Sequence, residues 1–576
     1  MTKSELKKRI DVAAGRVPAD VVIKNAKVID VYSGTVIEGD IAISDGYIAG
    51  VGTYEGEIVH DAKGRFAAPG FIDSHIHIES SYLTPEELGK ILVPHGATTI
   101  IADPHEIANI KGLEALDYMM NAASETALDI KFMLSPCVPA TTFEHAGACI
   151  TSEDISVELK KKRVLGIAEF MNFPGVFLAM DSTLDSLLAA HDAGVHIDGH
   201  CPGLSGLNLN AYVSAGISTD HECTTVENMQ EKISRGMYIL MRRGSACQDL
   251  DVLLGGVTPE NISRCLLCSD DLQPRTVFET GHLDNHLRIC VKHGIKPVEA
   301  IRMATLNAAA CFGLSDRGAI APGLRADIVL LDDLTEFRVA QVYIEGELIA
   351  ENGKYLPNVI RCDSSAMESS FHVKDFSKQK LKLNLKSDFV KVIDIRPGGI
   401  VTGKGTAHVK VGDDGDFKRD EAVDIVKLAV VERHQNTGNV AVAFLRGYGI
   451  KSGAVALSIA HDSHNIITAG VSDEEIAFAV ETLVAQGGGV VLVKDGKVLE
   501  SMPLPIGGIM SNQSGEWVDE KLDSLHKIAH KELGVSENVE PLMTLCFMAL
   551  PVIPELKLTD MGLFDVTVFD FTAIEA

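Results

Sequence analysis

The stretch Ala68-Pro-Gly-Phe-Ile-Asp-Ser-His-Ile-His-Ile-Glu-Ser80 decides how the rest of the chain is read. Pro69-Gly70 marks a turn, and Phe71–His75 reads as a short buried strand leaving it. His75 and His77 stand two apart, and on a strand residues i and i+2 share a face. Two imidazoles leaving one strand end on one side can bind one metal ion. A lone His-x-His is as well explained by a surface pair. Here the pair follows an apolar strand, and ligand-type residues recur at later strand ends.

Outward from this stretch run eight apolar segments, each ending in polar residues: Phe71–His75, Ala97–Asp103, Ile130–Ser135, Val164–Glu169, His196–His200, Ile217–Glu222, Met237–Arg242 and Arg264–Asp270. Helical patterns intervene at Pro85–Val93, Leu113–Ala123, Thr183–Ala193 and Val226–Arg235, and residues 297–310 make a closing helix with Pro297 in its first turn. Strand then helix, repeated in this way, predicts a (β/α)8 barrel over residues 68–317. Functional residues of such barrels sit at strand C-terminal ends. Those ends carry His75 and His77, then Asp103, His105 and Glu106, then Glu169, His200, His221, and Asp270 with Asp271. One strand-end His can simply bond a loop, and one Asp can cap a helix. Four His and two carboxylates on five strands ask for another explanation.

The segment Pro69–His77 resembles the opening metal motif of the amidohydrolase superfamily, metal-dependent hydrolases and deaminases on (β/α)8 barrels. Glu169 stands where many of these proteins place a carboxylated lysine, which separates the chain from dihydroorotase-, allantoinase- and urease-like members. Two close divalent ions need a shared anion to offset their repulsion, and a glutamate provides one; the shared water is then acidified toward neutral pH. The expected ligands are His75, His77, Glu169 and Asp270 for one ion, and Glu169, His200 and His221 for the other. Asp270 is also expected to take the proton of the water and pass it to the leaving group.

The local phrases Ala102-Asp-Pro-His-Glu-Ile-Ala-Asn109, Ser135-Pro-Cys-Val-Pro-Ala140, Asp198-Gly-His-Cys-Pro-Gly203, Asp220-His-Glu222 and Cys268-Ser-Asp-Asp271 are similar to those of the bacterial and archaeal adenine deaminase family. So are Ala460-His-Asp-Ser-His-Asn465 and Pro503-Leu-Pro-Ile-Gly-Gly-Ile-Met-Ser511. The resemblance implies hydrolysis of adenine to hypoxanthine and ammonia, with another aminopurine or a cyclic amide as the alternative substrate. It implies manganese or iron as the two ions; the His/carboxylate set also accepts zinc. Asp103, Glu106, Asp271 and Asp284 are the candidates to hold the base.

Short β-rich runs punctuated by turns fill residues 20–67, and residues 318–355 hold further runs, including Val339–Ile349. Together they resemble the split β-sandwich of amidohydrolases, with its Pro-Gly-x-x-Ala-Asp element at Pro322–Asp327. The expected plan is therefore a small domain from 1–67 plus 318–360, the barrel, a polar Ser/Lys-rich linker at 361–385, and an α+β domain at 386–576. In that last domain His461, Asp462 and His464 follow the apolar run Gly453–Ala460. They form either a plain turn or a lid over the barrel mouth that touches substrate or an accessory metal. Gly487–Gly489 and Gly507-Gly508 lack a full nucleotide-binding pattern and read as turns.

Composition narrows the partners. The formal net charge of −28, with 52 basic against 80 acidic residues, disfavours nucleic acid and anionic membranes and suits a small neutral or cationic substrate. The N-terminus lacks the apolar core of a signal peptide, and no apolar run is long enough to span a bilayer. Eleven scattered cysteines fit reduced thiols in a cytoplasm. Cys265 and Cys268 lie within an apolar strand, where i and i+3 face opposite sides, and read as buried thiols. A homo-oligomer, dimer or higher, is expected.

Overall fold

The computed structural model describes residues 2–397 and 399–576. Each of the eight apolar segments forms a strand: β1 Phe71–His77, β2 Ala97–Ala102, β3 Asp129–Leu134, β4 Val164–Phe170, β5 His196–Gly199, β6 Thr219–Asp220, β7 Tyr238–Arg242 and β8 Cys265–Cys268. All pairings among them are parallel. β5-β4-β3-β2-β1 form one run and β6-β7-β8 a second. Two links curl the runs into a ring. Beyond β8, Asp270 and Asp271 pair with Ile76 and His77 of β1, and Ser218 N–H donates to Ile197 O at 3.2 Å between β6 and β5. The result is a TIM-type α/β fold. Its interior is packed by Ile72, Ile101, Met133, Ala168, Leu240 and Leu266, with Phe312 and Leu314 adding to the same cluster. A filled interior leaves chemistry only to the strand ends.

The closing helix differs from its expected form. It breaks into Pro297–Met303 and Leu306–Cys311, with Thr305 at φ −139° and ψ −86°. The Thr305 hydroxyl bonds back to Ile301 O at 2.7 Å, and such side-chain competition for helix carbonyls bends or ends a helix. The helix after β2 starts earlier than its apolar pattern suggests. It spans His105–Ala122 with a break at Gly112, whose φ of 57° and ψ of −133° are open only to glycine. His105 and Glu106 therefore sit on its first turn, facing the barrel mouth.

Residues 19–69 and 328–355 contribute to a single nine-stranded sheet. Two of the runs expected there merge into one strand, Ala19–Asp30. A bulge between Ile23 and Ala26, with Asn25 at φ 58°, absorbs the polar break without ending the ladder. The strand Phe66–Pro69 pairs antiparallel with Ile328–Leu331 and delivers the chain directly into β1.

The third region is built on an eight-stranded sheet, in the order Thr402–His408, Phe389–Ile395, Val440–Arg446, Ile425–Val431, Ile466–Gly470, Ala454–Leu457, Gly489–Lys494, Lys497–Pro503, with helix Asp473–Gln486 against it. The stretch expected as a linker is packed: Arg361 pairs with Glu87 at 2.7 Å, and Met367 and Leu381 are buried. The loop after β3 docks into this region. His145 binds Asp560 through its backbone N–H at 2.9 Å and its ring Nδ1 at 2.6 Å, and Phe143 packs among Phe564, Phe569 and Phe571. The third region thus sits on the strand-end side of the barrel. Cys265 and Cys268 are buried free thiols. Among the described residues no helix is long and apolar enough to cross a membrane.

One buried ion pair ties β5 to β6. Lys232 Nζ lies 2.8 Å from Asp220 Oδ2 with both side chains fully buried. Lys232 also donates to Cys201 O at 2.8 Å, and Cys201 N–H donates to Asp220 Oδ1 at 2.9 Å. Lys232→Met would leave Asp220 buried and unpaired, an expected cost of about 3–5 kcal/mol. A lower urea midpoint for the barrel transition, read by circular dichroism, is the expected result. An unchanged midpoint would show that the pair contributes no net stability.

Candidate metal centre

The β1 imidazoles converge. His75 Nε2 and His77 Nε2 are 3.1 Å apart. His77 Nδ1 faces Asp103 O at 3.0 Å, a bond that only an N–H on Nδ1 can make. The lone pair of neutral His77 is therefore on Nε2, turned toward His75 and the cavity. Asp270 Oδ1 completes this corner, 3.2 Å from His77 Nε2 and 3.7 Å from His75 Nε2. His221 stacks on His75, with ring centroids 4.2 Å apart and planes at 14°.

Glu169 stands between two groups of imidazoles. Its Oε1 is 3.3 Å from His77 Nε2, while its Oε2 is 2.7 Å from His200 Nδ1 and 3.1 Å from His221 Nε2. Burial opposes its charge, but His221, His200 and His77 outweigh that and hold the carboxyl well below its usual range. Asp270 follows the same pattern: burial raises it, and His77 and Arg242 bring it far below. Arg242 Nη1 pins Asp270 Oδ2 at 3.0 Å, which leaves Oδ1 for the cavity. Asp270 adopts φ 62°, a left-handed conformation rare for a residue with a side chain and of a kind that clusters at functional sites.

Several buried polar atoms here lack a hydrogen-bond partner: Asp103 Oδ1, Asp198 Oδ2, His221 Nδ1 and Asp462 Oδ2. Orphaned carboxylate oxygens are costly in a protein interior unless a cation compensates them. The donor sets suit one. His75, His77 and Asp270, then His75, Glu169 and His221, then His77, Asp103, His105 and Glu169, each bring their ligand atoms within 4.8 Å of one another. Nitrogen and oxygen donors of this kind fit manganese, iron or zinc.

The other candidates divide. A cavity at the barrel mouth is lined by His77, Glu106, Glu169, His200, His221, Asp270, Asp271, His461 and Asp462. A second cavity adjoins it, sharing Glu106, Asp271, His461 and Phe547, and adds Glu79, Tyr82, Ile459, His464 and Ile509. Burial pushes Glu79 up to about 7, with Glu106 adding to the effect; burial and Asp270 raise Asp271. Asp103 is buried beside His105 at 3.1 Å. Asp284 is a correction: it lines neither cavity. Its carboxylate accepts from His282 N–H at 2.7 Å and meets His95 at 3.2 Å, so it serves the helix start rather than the barrel mouth.

Some functional side chains escape the sequence reading. Glu222, 3.5 Å from His221, and Arg242 both end strand segments and obey the same strand-end rule that finds the others. The apolar roof, Ile400, Phe547, Leu550 and Ile553, carries no signal, because such residues are equally at home in any core.

The chain matches two families: "Amidohydrolase family" over residues 66–349 and "Adenine deaminase C-terminal domain" over residues 399–570. It is 62% identical over 576 residues to "Adenine deaminase 2" of Desulfotalea psychrophila, covering all of both chains. It is 52% identical over 567 residues to "Adenine deaminase" of Ligilactobacillus salivarius, covering 98% of each. With "Adenine deaminase" of Nitratidesulfovibrio vulgaris it shares 46% over 565 residues, again 98% of each.

Glu169→Gln preserves shape and removes the charge shared by the two imidazole groups. Elemental analysis is expected to find at least one divalent ion fewer per chain than in the parent protein. Equal occupancy in the two would remove Glu169 from the shared position.

Proposed function

The chain belongs to the adenine deaminases of the amidohydrolase family, and on that premise we propose that its barrel mouth converts adenine and water to hypoxanthine and ammonia. The observation that carries this reading is identity along the whole chain, third domain included, with relatives bearing that name. The proposed ligands are His75, His77, Glu169 and Asp270 for one divalent ion and Glu169, His200 and His221 for a second. Manganese or iron is proposed, with zinc tolerated by the same donors. When bound, such ions supply an acidified water as nucleophile and an electrophilic centre.

The protein's own groups would then act as follows. Asp270 Oδ1 takes the water's proton and passes it toward the departing amino nitrogen; Arg242, holding Oδ2, keeps the carboxylate weakly basic so that the proton is released again. Glu79, Glu106 and Asp271 offer hydrogen-bonding edges to the base, while Ile459, Ile509 and Phe547 cover its faces. Asp103 stays close to His105 and is a supporting group. The domain plan of 1–67 with 318–360 as a split β-sandwich, 68–317, 361–385 and 386–576 belongs to the same proposal, as do a cytoplasmic location and a homo-oligomer.

Ammonia release from adenine, adenosine, guanine and cytosine by manganese-loaded protein tests the reading. Adenine is expected to turn over fastest; faster adenosine, or activity confined to another aminopurine or a cyclic amide, would replace the assignment. Asp270→Asn keeps an oxygen for a metal but no basic carboxylate. Metal content is expected to persist while kcat falls by ~10²–10⁴. A parental rate with parental metal would take Asp270 out of proton transfer.

A further inference from the structure

The loop His461–Asn465 reaches from the third domain into the barrel mouth, and Glu106 receives both of its imidazoles. His461 Nδ1 lies 2.7 Å from Glu106 Oε1, and His464 Nε2 contacts Glu106 Oε2. All three side chains are buried, and by composition and spacing they could hold a cation. The far side of His464 decides otherwise. Ala460 N–H donates to His464 Nδ1 at 3.2 Å. A neutral imidazole has one N–H and one lone pair. With the Nδ1 lone pair committed to Ala460, the proton sits on Nε2, against Glu106. A metal-binding histidine has the reverse arrangement, its distal nitrogen donating to an acceptor, as His77 Nδ1 does to Asp103 O. Turning the His464 ring over would set carbon against both partners, so the two contacts together fix its orientation.

The loop is also held from both domains. Arg433 is fully buried; its Nε reaches His464 O, its Nη2 reaches Gly507 O at 3.0 Å, and its guanidinium lies 4.4 Å from the centre of the Phe371 ring. His434 Nε2 bonds Ser463 O at 2.7 Å. Asn465 Nδ2 donates to His145 O of the barrel loop at 2.8 Å. His464 itself adopts φ 54°, a strained choice for histidine that persists where surroundings over-determine it. His461 stacks on Phe547, centroids 4.6 Å apart at 17°, and Phe547 lines both cavities.

We infer that His464 and His461 are a positioning pair lent by the third domain: they donate N–H bonds to Glu106, fix its carboxylate as an acceptor on the wall shared by the two cavities, and hold no metal ion between them. Glu106 so fixed receives an N–H of the bound base, and this last point rests on the deaminase reading. His464→Asn is the variant of choice, because asparagine tolerates the left-handed backbone. KM for adenine is expected to rise about tenfold or more, the usual worth of a hydrogen bond to a charged group, with kcat changed less. Glu106→Gln added to that variant is expected to cost little beyond the single changes, since the residues act as one unit. Independent, multiplicative losses would overturn the pairing.

Two readouts do not depend on turnover. Bound metal per chain is expected to be equal in the parent and His464→Asn, whatever its absolute value; loss of one ion in the variant would overturn the inference in favour of a cation site. In zinc-loaded protein, 15N correlation spectra are expected to give His464, identified by its disappearance in His464→Asn, as the Nε2–H form. An Nδ1–H form or a metal-shifted Nε2 would overturn it. Absence of adenine turnover in the parent would instead defeat the deaminase reading and leave these two measurements to judge the pair.

Discussion

One carboxylate at the end of β4 holds the barrel mouth to its geometry. The two oxygens of Glu169 face imidazoles from three other strands, His77 from β1 through Oε1, and His200 and His221 from the ends of β5 and β6 through Oε2. A buried anion of this kind is tolerable only amid positive or polarising partners, and without it the three rings that face it would lose the acceptor they share. Each half of the site therefore requires the other. Glutamate in this place needs no covalent modification to carry its charge.

Around that core a second layer of buried charges keeps the strand ends in register. Asp73 accepts from Ser269 N–H at 3.0 Å and Ser269 Oγ at 2.6 Å, and meets His282 Nε2 at 2.7 Å. It thus ties β1 to the segment that delivers Asp270. Asp220 with Lys232 does the same for the ends of β5 and β6. Arg242 gathers Glu222, Asp249 and Asp270 at the end of β7. A site that must hold ligand atoms to a fraction of an ångström depends on such supports.

The third domain completes the mouth rather than merely following it. Ile400, Phe547, Leu550 and Ile553 supply its roof, and the His461–Asn465 loop supplies bonds to Glu106. Apolar cover of this sort excludes water and strengthens every electrostatic interaction beneath it. The docking of His145 and Phe143 gives the barrel a fixed hold on that cover, consistent with a preset roof rather than a swinging one.

The barrel was legible in the sequence because a parallel strand buried on both faces must read as an apolar run, and because polar residues cluster where such a strand meets the mouth. For the same reason the strand ends that bring His75, His77, Glu169, His200, His221 and Asp270 together are legible in the sequence, and Glu222 and Arg242 follow the same rule. Helix ends and breaks were less legible: Gly112 and Thr305 interrupt helices through backbone conformation and a side-chain bond that periodicity does not encode. What only the tertiary structure decided are the relations across long separations. Asp284, an acid of suitable type, is drawn off by His95 and a helix start. Glu106 and His464 meet across 358 positions of chain, and the tautomer of His464 is set by a backbone N–H four residues before it. Residue type and local period fix which groups exist and which face they take; partners, and with them protonation and orientation, follow from packing that no local pattern contains.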